Sequence, residues 1–134
     1  MRHGARVLLV LVSLSAPASA ENAIRIELNT AEASKARCRL SFVIENKDER
    51  AVQSLKLDLV VFNTEGAIDR RLIAEMGPLR AEKTIVKTFE VEGNCANVGS
   101  ILVNDVTACA PAEAGACLER LALSSRLPKV RLFK

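Results

Sequence analysis

Tryptophan and tyrosine are absent, histidine occurs once, and the only aromatic rings besides that imidazole are Phe42, Phe62, Phe89 and Phe133. Each scarcity removes a class of function. Without stacking platforms, sugar rings and unpaired nucleobases have little to rest on, so nucleic acid is not an expected partner. The single histidine is His3, at the extreme N-terminus. If that end is removed on export, Ser-His-Asp and Cys-His arrangements are excluded, and the commonest general base and metal ligand is gone. No apolar run approaches the roughly 20 residues that span a bilayer, so no membrane span is expected.

The N-terminus itself has three zones. Residues 1–6 carry Arg2 and Arg6, residues 7–14 form a short apolar run, and Pro17 precedes Ala18-Ser19-Ala20. A cationic start, an apolar core of about eight residues and small side chains at the end make a cleavable signal peptide. Residues 1–20 are therefore read as signal, with cleavage before Glu21. No Arg-Arg pair marks a twin-arginine signal, and no Cys follows the run to accept a lipid. The remaining residues, 21–134, suit one domain. Of 19 Lys+Arg against 16 Asp+Glu, the signal takes two Arg and no acid, leaving 17 against 16. That balance names no polyanionic partner.

Four cysteines, Cys38, Cys95, Cys109 and Cys117, lie beyond the signal. An even number in a small exported domain argues for disulfides and for a periplasmic or secreted location. Of three connectivities we expect Cys38–Cys95 with Cys109–Cys117. The last two bracket a short Ala-, Gly- and Pro-rich loop, and Cys95 follows a Gly-Asn turn that returns the chain beside the strand of Cys38. The long bridge should stabilise by roughly 3–4 kcal/mol and the short one by less. A redox pair would need Cys-x-x-Cys, and a zinc site would need four thiolates at knuckle spacing. Neither pattern occurs.

Period-two alternation dominates the rest. Ile24, Ile26 and Leu28 form one inward row; Cys38, Leu40, Phe42 and Ile44 a second; Leu55, Leu57, Leu59 and Val61 a third. Such rows mean half-buried strands. Turn residues separate them: the charged loop 46–50, Asn63-Thr64-Glu65-Gly66, Gly77-Pro78 and Glu92-Gly93-Asn94. Strands are expected at 84–91, 99–106 and around Val130 to Phe133. Two segments are ambiguous: residues 31–37 carry helix-friendly side chains but are short and uncapped, and 118–125 reads as a helical turn or a strand. Leu40, Phe42, Leu57, Leu59 and Phe89 should lie inside. The expected fold is all-β, an antiparallel immunoglobulin-like β-sandwich with two disulfides.

The run Ser41-Phe42-Val43-Ile44-Glu45-Asn46, followed by residues 55–66 ending Phe62-Asn63-Thr64-Glu65-Gly66, resembles the strand pair of FxLYD-type immunoglobulin-like modules. Gly77-Pro78-Leu79-Arg80 ahead of Phe89 is similar to their next turn. Ser54 to Val61, Pro78-Leu79-Arg80 and Val103-Asn104-Asp105-Val106-Thr107-Ala108-Cys109 resemble a set of small uncharacterised exported proteins of proteobacteria. Those relatives are often named for a twin-arginine signal, which this chain lacks. Both resemblances imply a scaffold and supply no catalytic residue.

No catalytic, cofactor-binding or metal-ligating residue is assigned, and no enzyme is expected. Ser41, Ser54, Ser100, Ser124 and Ser125 sit in no nucleophile motif. Asp58 reads as a solvated strand residue. Asn104-Asp105 interrupts an apolar strand and reads as a bulge or a hydrogen-bonding partner for its surroundings. The C-terminal stretch holds Arg120, Arg126, Lys129, Arg131 and Lys134 against Glu119, an edge that could meet an anionic surface or simply guard against self-pairing. The leading expectation is a non-enzymatic envelope protein presenting a loop or edge to a protein partner. The alternative is a small-ligand or cation binder using Asp48, Asp105 and nearby loops.

Overall fold

The computed structural model describes residues 23–134, together with Gly4 and residues 10–14. The expected cleavage point before Glu21 and most of the expected signal, residues 1–20, fall outside these residues. Val10, Leu11, Val12 and Leu14 are exposed and belong to no strand. From Ile24 onward the alternation becomes eight strands: β1 (Ile24–Ser34), β2 (Arg37–Asn46), β3 (Lys56–Asn63), β4 (Ile68–Glu75), β5 (Thr84–Glu92), β6 (Val98–Ala108), β7 (Leu121–Ser125) and β8 (Arg131–Phe133). A 3-10 turn (Cys95–Asn97) precedes β6, and a single turn of helix, α1 (Ala114–Leu118), precedes β7. No helix among the described residues is long and apolar enough to cross a membrane.

The strands form two four-stranded sheets, ordered β5-β2-β1-β7 and β4-β3-β6-β8. All neighbours are antiparallel except β1–β7 and β6–β8, which are parallel. Their inward rows meet as one core. Ile24, Ile26, Leu28, Phe42, Ile44, Leu57, Val61 and Ile101 are almost wholly buried, each worth roughly 1.5–3 kcal/mol in apolar transfer. Leu40, Leu57 and Leu59 lie inside as expected. Phe89 is only partly buried, because β5 is an edge strand; its ring meets Phe42 edge-on at 6.0 Å.

Cys38 pairs with Cys95 and Cys109 with Cys117, at Cα separations of 4.9 and 6.3 Å. The first bond ties β2 of one sheet to the turn that feeds β6 of the other. The second pins α1 to the end of β6. Two disulfides suit an oxidising, exported environment.

Both ambiguous segments resolve through pairing. Residues 31–37 complete a long β1–β2 hairpin, with a bulge at Asn29 and Lys35 in the left-handed region at φ 58°. The stretch 118–125 divides between the end of α1 and β7. Gly66, at φ 82°, closes the β3–β4 hairpin as expected, a backbone conformation that side chains with a Cβ resist.

Candidate functional site

The two sheets turn very different faces outward. On β5-β2-β1-β7 the outer side chains pair polar with polar. Arg37 and Arg39 reach Glu90 at 3.3 and 3.2 Å, and the Ser41 and Thr88 hydroxyls lie 3.0 Å apart. Val43 opposite Val86 is an apolar exception. An antiparallel sheet with one face in water is expected to look like this.

The outer face of β4-β3-β6-β8 does not. Cross-strand register places Arg71, Val60, Leu102 and Phe133 in one row across all four strands. Phe62, beside Ile68, continues the apolar surface on one side of that row. Ile73 extends it on the other. Val60 is 6% exposed, whereas Ile68 and Ile73 on the edge strand are 69% and 58% exposed. Arg131 lies over the Phe133 ring at 4.2 Å, a cation–π contact.

Asp58 sits within this apolar face. Its side chain is 7% exposed, so the expectation of a solvated strand residue is wrong. Alternation put it on the correct face, but Arg71 from the paired strand covers it. Arg71 Nε and Nη2 donate to its two oxygens at 2.9 and 2.5 Å, and Asn104 Nδ2 donates at 2.8 Å. The Arg71 hydrogen bonds, followed by that from Asn104, hold the Asp58 carboxyl at about 2, below the ordinary value. Asn104 occupies a bulge opposite β3, where the register slips between Asp58 and Leu59. The irregular Asn104-Asp105 step therefore completes a polar cluster around the buried Asp58 carboxylate.

A second cluster organises the loop after β2. Asn46 is fully buried; its Nδ2 donates to the Arg50 and Arg80 carbonyls at 3.0 and 3.1 Å, and its Oδ1 accepts from the Asp48 amide at 3.0 Å. Asp48 in turn accepts from Arg50 and from Arg120, at 3.0 and 2.9 Å. The Arg50 hydrogen bonds, above all, lower its carboxyl to about 2. Asp48 is thus met by guanidinium groups. Asp105, on another strand, accepts from the Val106 amide at 2.8 Å. No group of three or more metal-ligating side chains occurs among the described residues.

The basic C-terminal residues separate in space. Arg120 is largely buried against Asp48, and Lys134 donates from Nζ to the Leu118 and Leu121 carbonyls at 2.9 and 2.6 Å. Arg131 stacks on Phe133, leaving Arg126 and Lys129 on the turn between β7 and β8. Ser41, Ser54 and Ser125 are engaged with Thr88, Glu75 and Leu127.

No family model matches the sequence, and no curated protein matches it. Among solved structures the chain is similar to IrmA from Escherichia coli. The TM-score is 0.58 at 16% identity, covering 75% of this chain and 89% of that one. At that identity the likeness concerns the fold alone.

The residues that sequence reasoning overlooked are Val60, Phe62 and Leu102. Leu59 to Phe62 is an unbroken apolar run within β3, and such a run signals a strand covered on both faces. Reading only the inward set Leu57, Leu59 and Val61 hid that signal.

Proposed function

We propose that this chain is an exported, non-enzymatic module, periplasmic or secreted, which binds a protein partner through the outer face of β4-β3-β6-β8. The observation that carries the reading is the apolar row Val60, Leu102 and Phe133 with Ile68 and Ile73 at its margin, set against a polar outer face on the other sheet. Solvent-facing apolar patches on small domains mark binding surfaces. Arg71 at one end of the row is already neutralised by Asp58, whereas Arg131 at the other meets no carboxylate among the described residues, so the fitting partner is an apolar protein surface with a carboxylate at that margin. Aromatic and arginine side chains together are typical of interface anchors. This reading sets the expected partner contact on a sheet face bordered by the edge strand β4.

The scaffold reading is immunoglobulin-like. The order β5-β2-β1 against β4-β3-β6-β8 follows the arrangement of such sandwiches, and a disulfide joining the second strand to the approach of β6 fits their inter-sheet bond. The parallel β6–β8 pairing is a departure from it.

Affinity capture from the native envelope tests the proposal. Wild-type protein should retain a partner that an Ile68→Glu/Ile73→Glu variant loses, while Val86→Glu on the opposite sheet keeps it. Equal retention by both variants would contradict the assignment of the face.

A further inference from the structure

The cleft beside Asp48 has a charge imbalance that the fold does not use. Arg50 donates to the Asp48 carboxylate from Nη2 and Nε at 3.0 and 3.3 Å, and Arg120 donates to the same Oδ2 at 2.9 Å. No other carboxylate among the described residues lies within 4.0 Å of either guanidinium. Two positive charges thus share one negative charge. Arg50 is 75% exposed and solvated, but Arg120 is only 14% exposed. Its Nε is buried without a hydrogen-bond partner, and Nη1 reaches only the Cys117 sulfur, at 4.0 Å. A guanidinium in that setting costs free energy unless its donors and charge are met.

Arg50 and Arg120 line a partly enclosed cleft of about 50 Å³ whose other walls include Val52, Pro111, Ala112 and Cys109. At roughly 10–15 Å³ per water, it has room for a few solvent molecules or one group of three heavy atoms. A sugar or nucleotide does not fit. Apolar walls strengthen any ion pair formed inside. The walls are also fixed in advance. The Gln53 amide donates to the Ala110 carbonyl at 2.8 Å, Val52 exchanges hydrogen bonds with Leu79, and the Cys109–Cys117 bond ties the far side to α1.

We infer that this cleft binds a small carboxylate, such as a short-chain acid or the carboxyl end of a peptide, between Arg50 and Arg120. The site lies apart from the proposed docking face and does not depend on it. Holding Asp48 engages one nitrogen of Arg120, which makes the residue a strut between two loops. The excess charge beside a cleft of carboxylate size is what the strut alone leaves unexplained.

The test follows the backbone amides of Ala51, Val52 and Ala112 by NMR in the oxidised protein while sodium formate, sodium acetate or sodium chloride is added. Formate and acetate should give saturable shifts at these amides with none at Val86. Arg50→Gln should weaken formate binding about tenfold by removing one charged donor. Arg120→Lys keeps the charge but loses the fork and should weaken it at least as much; if it does not fold, the exposed Arg50 supplies the decisive variant. Chloride competing at the same amides supports the site, and so does selectivity for the two carboxylates. Linear, unsaturated shifts in wild type, saturation unchanged by Arg50→Gln, or saturation by chloride alone would overturn the inference. Shortened peptides with free and amidated C-termini then separate a chain end from a free acid.

Discussion

Replacing Asp58 by Asn removes a charge from within the apolar outer face while keeping the side chain's size. In the fold that carboxylate is 7% exposed and accepts three hydrogen bonds, two from Arg71 and one from Asn104. A hydrogen bond to a charged group contributes roughly 1.5–3 kcal/mol. Arg71, however, is 63% exposed and regains water when released, which reduces the net loss to about 1–2 kcal/mol. Acid distinguishes charge from shape. The carboxyl titrates at about 2 in the fold, against roughly 3.9 in an unfolded chain. Because the folded value is the lower one, the stabilisation is complete above about pH 4 and is lost as pH falls through about 2. Asp48 has a similarly lowered value but is present in both proteins and cancels. Urea unfolding of wild type and Asp58→Asn, stepped from neutral pH into acid, should show a gap of about 1–2 kcal/mol that closes toward zero near pH 2. A gap of constant size across that range would refute the argument, since packing alone would then account for it.

The two disulfides should differ in worth. Their sequence separations are 57 and 8 residues, and three-halves RT times the logarithm of that ratio is about 1.7 kcal/mol. Paired Cys→Ala replacement at Cys38 and Cys95 should therefore destabilise more than at Cys109 and Cys117 in chemical denaturation; the reverse order would contradict the pairing's role. Gly99→Ala would drive a Cβ against the Asn63 carbonyl oxygen, 2.7 Å from its carbon and 3.0 Å from Thr64 Cα. Backbone cannot yield there cheaply, so a loss of about 2–3 kcal/mol is expected, and an unchanged melting temperature would show that the two segments move apart freely. Asn46→Ala removes three hydrogen bonds from a wholly buried side chain and should cost about 2–4 kcal/mol; proteolysis within residues 47–55 should rise with it, and equal protection would count against Asn46 as the loop's organiser.

Much of the architecture is written locally. The rows Ile24-Ile26-Leu28 and Cys38-Leu40-Phe42-Ile44 alternate because each strand has one face in the core, and Asn63 to Gly66 carries its turn in residues that tolerate it. The disulfide partners could be argued from loop lengths and turns. What stayed hidden depends on chain segments far apart. Asp58 looks solvated until Arg71, thirteen residues on, is laid across it by the β3–β4 register. Residues 31–37 carry no glycine to announce the hairpin that Lys35 turns at positive φ. The parallel β1–β7 and β6–β8 pairs arise because the chain crosses to the other sheet after β6 and returns after Ser125, which no periodicity records. Arg120 looked like part of a basic edge; its pairing with Asp48 spans 72 residues. The apolar outer face was the nearest to being legible, since Val60 and Phe62 break the polar half of the alternation in β3.

Site-specific photocrosslinking in the native cell tests the central claim most directly. A photoreactive residue is placed singly at Ile73 or Leu102 on the proposed face, and at Val86 or Thr88 on the other sheet, with the two disulfides intact. The account predicts one shared protein adduct from Ile73 and Leu102 and none of it from Val86 or Thr88. An adduct formed only from the Val86 sheet, or no protein adduct from either face, would contradict it.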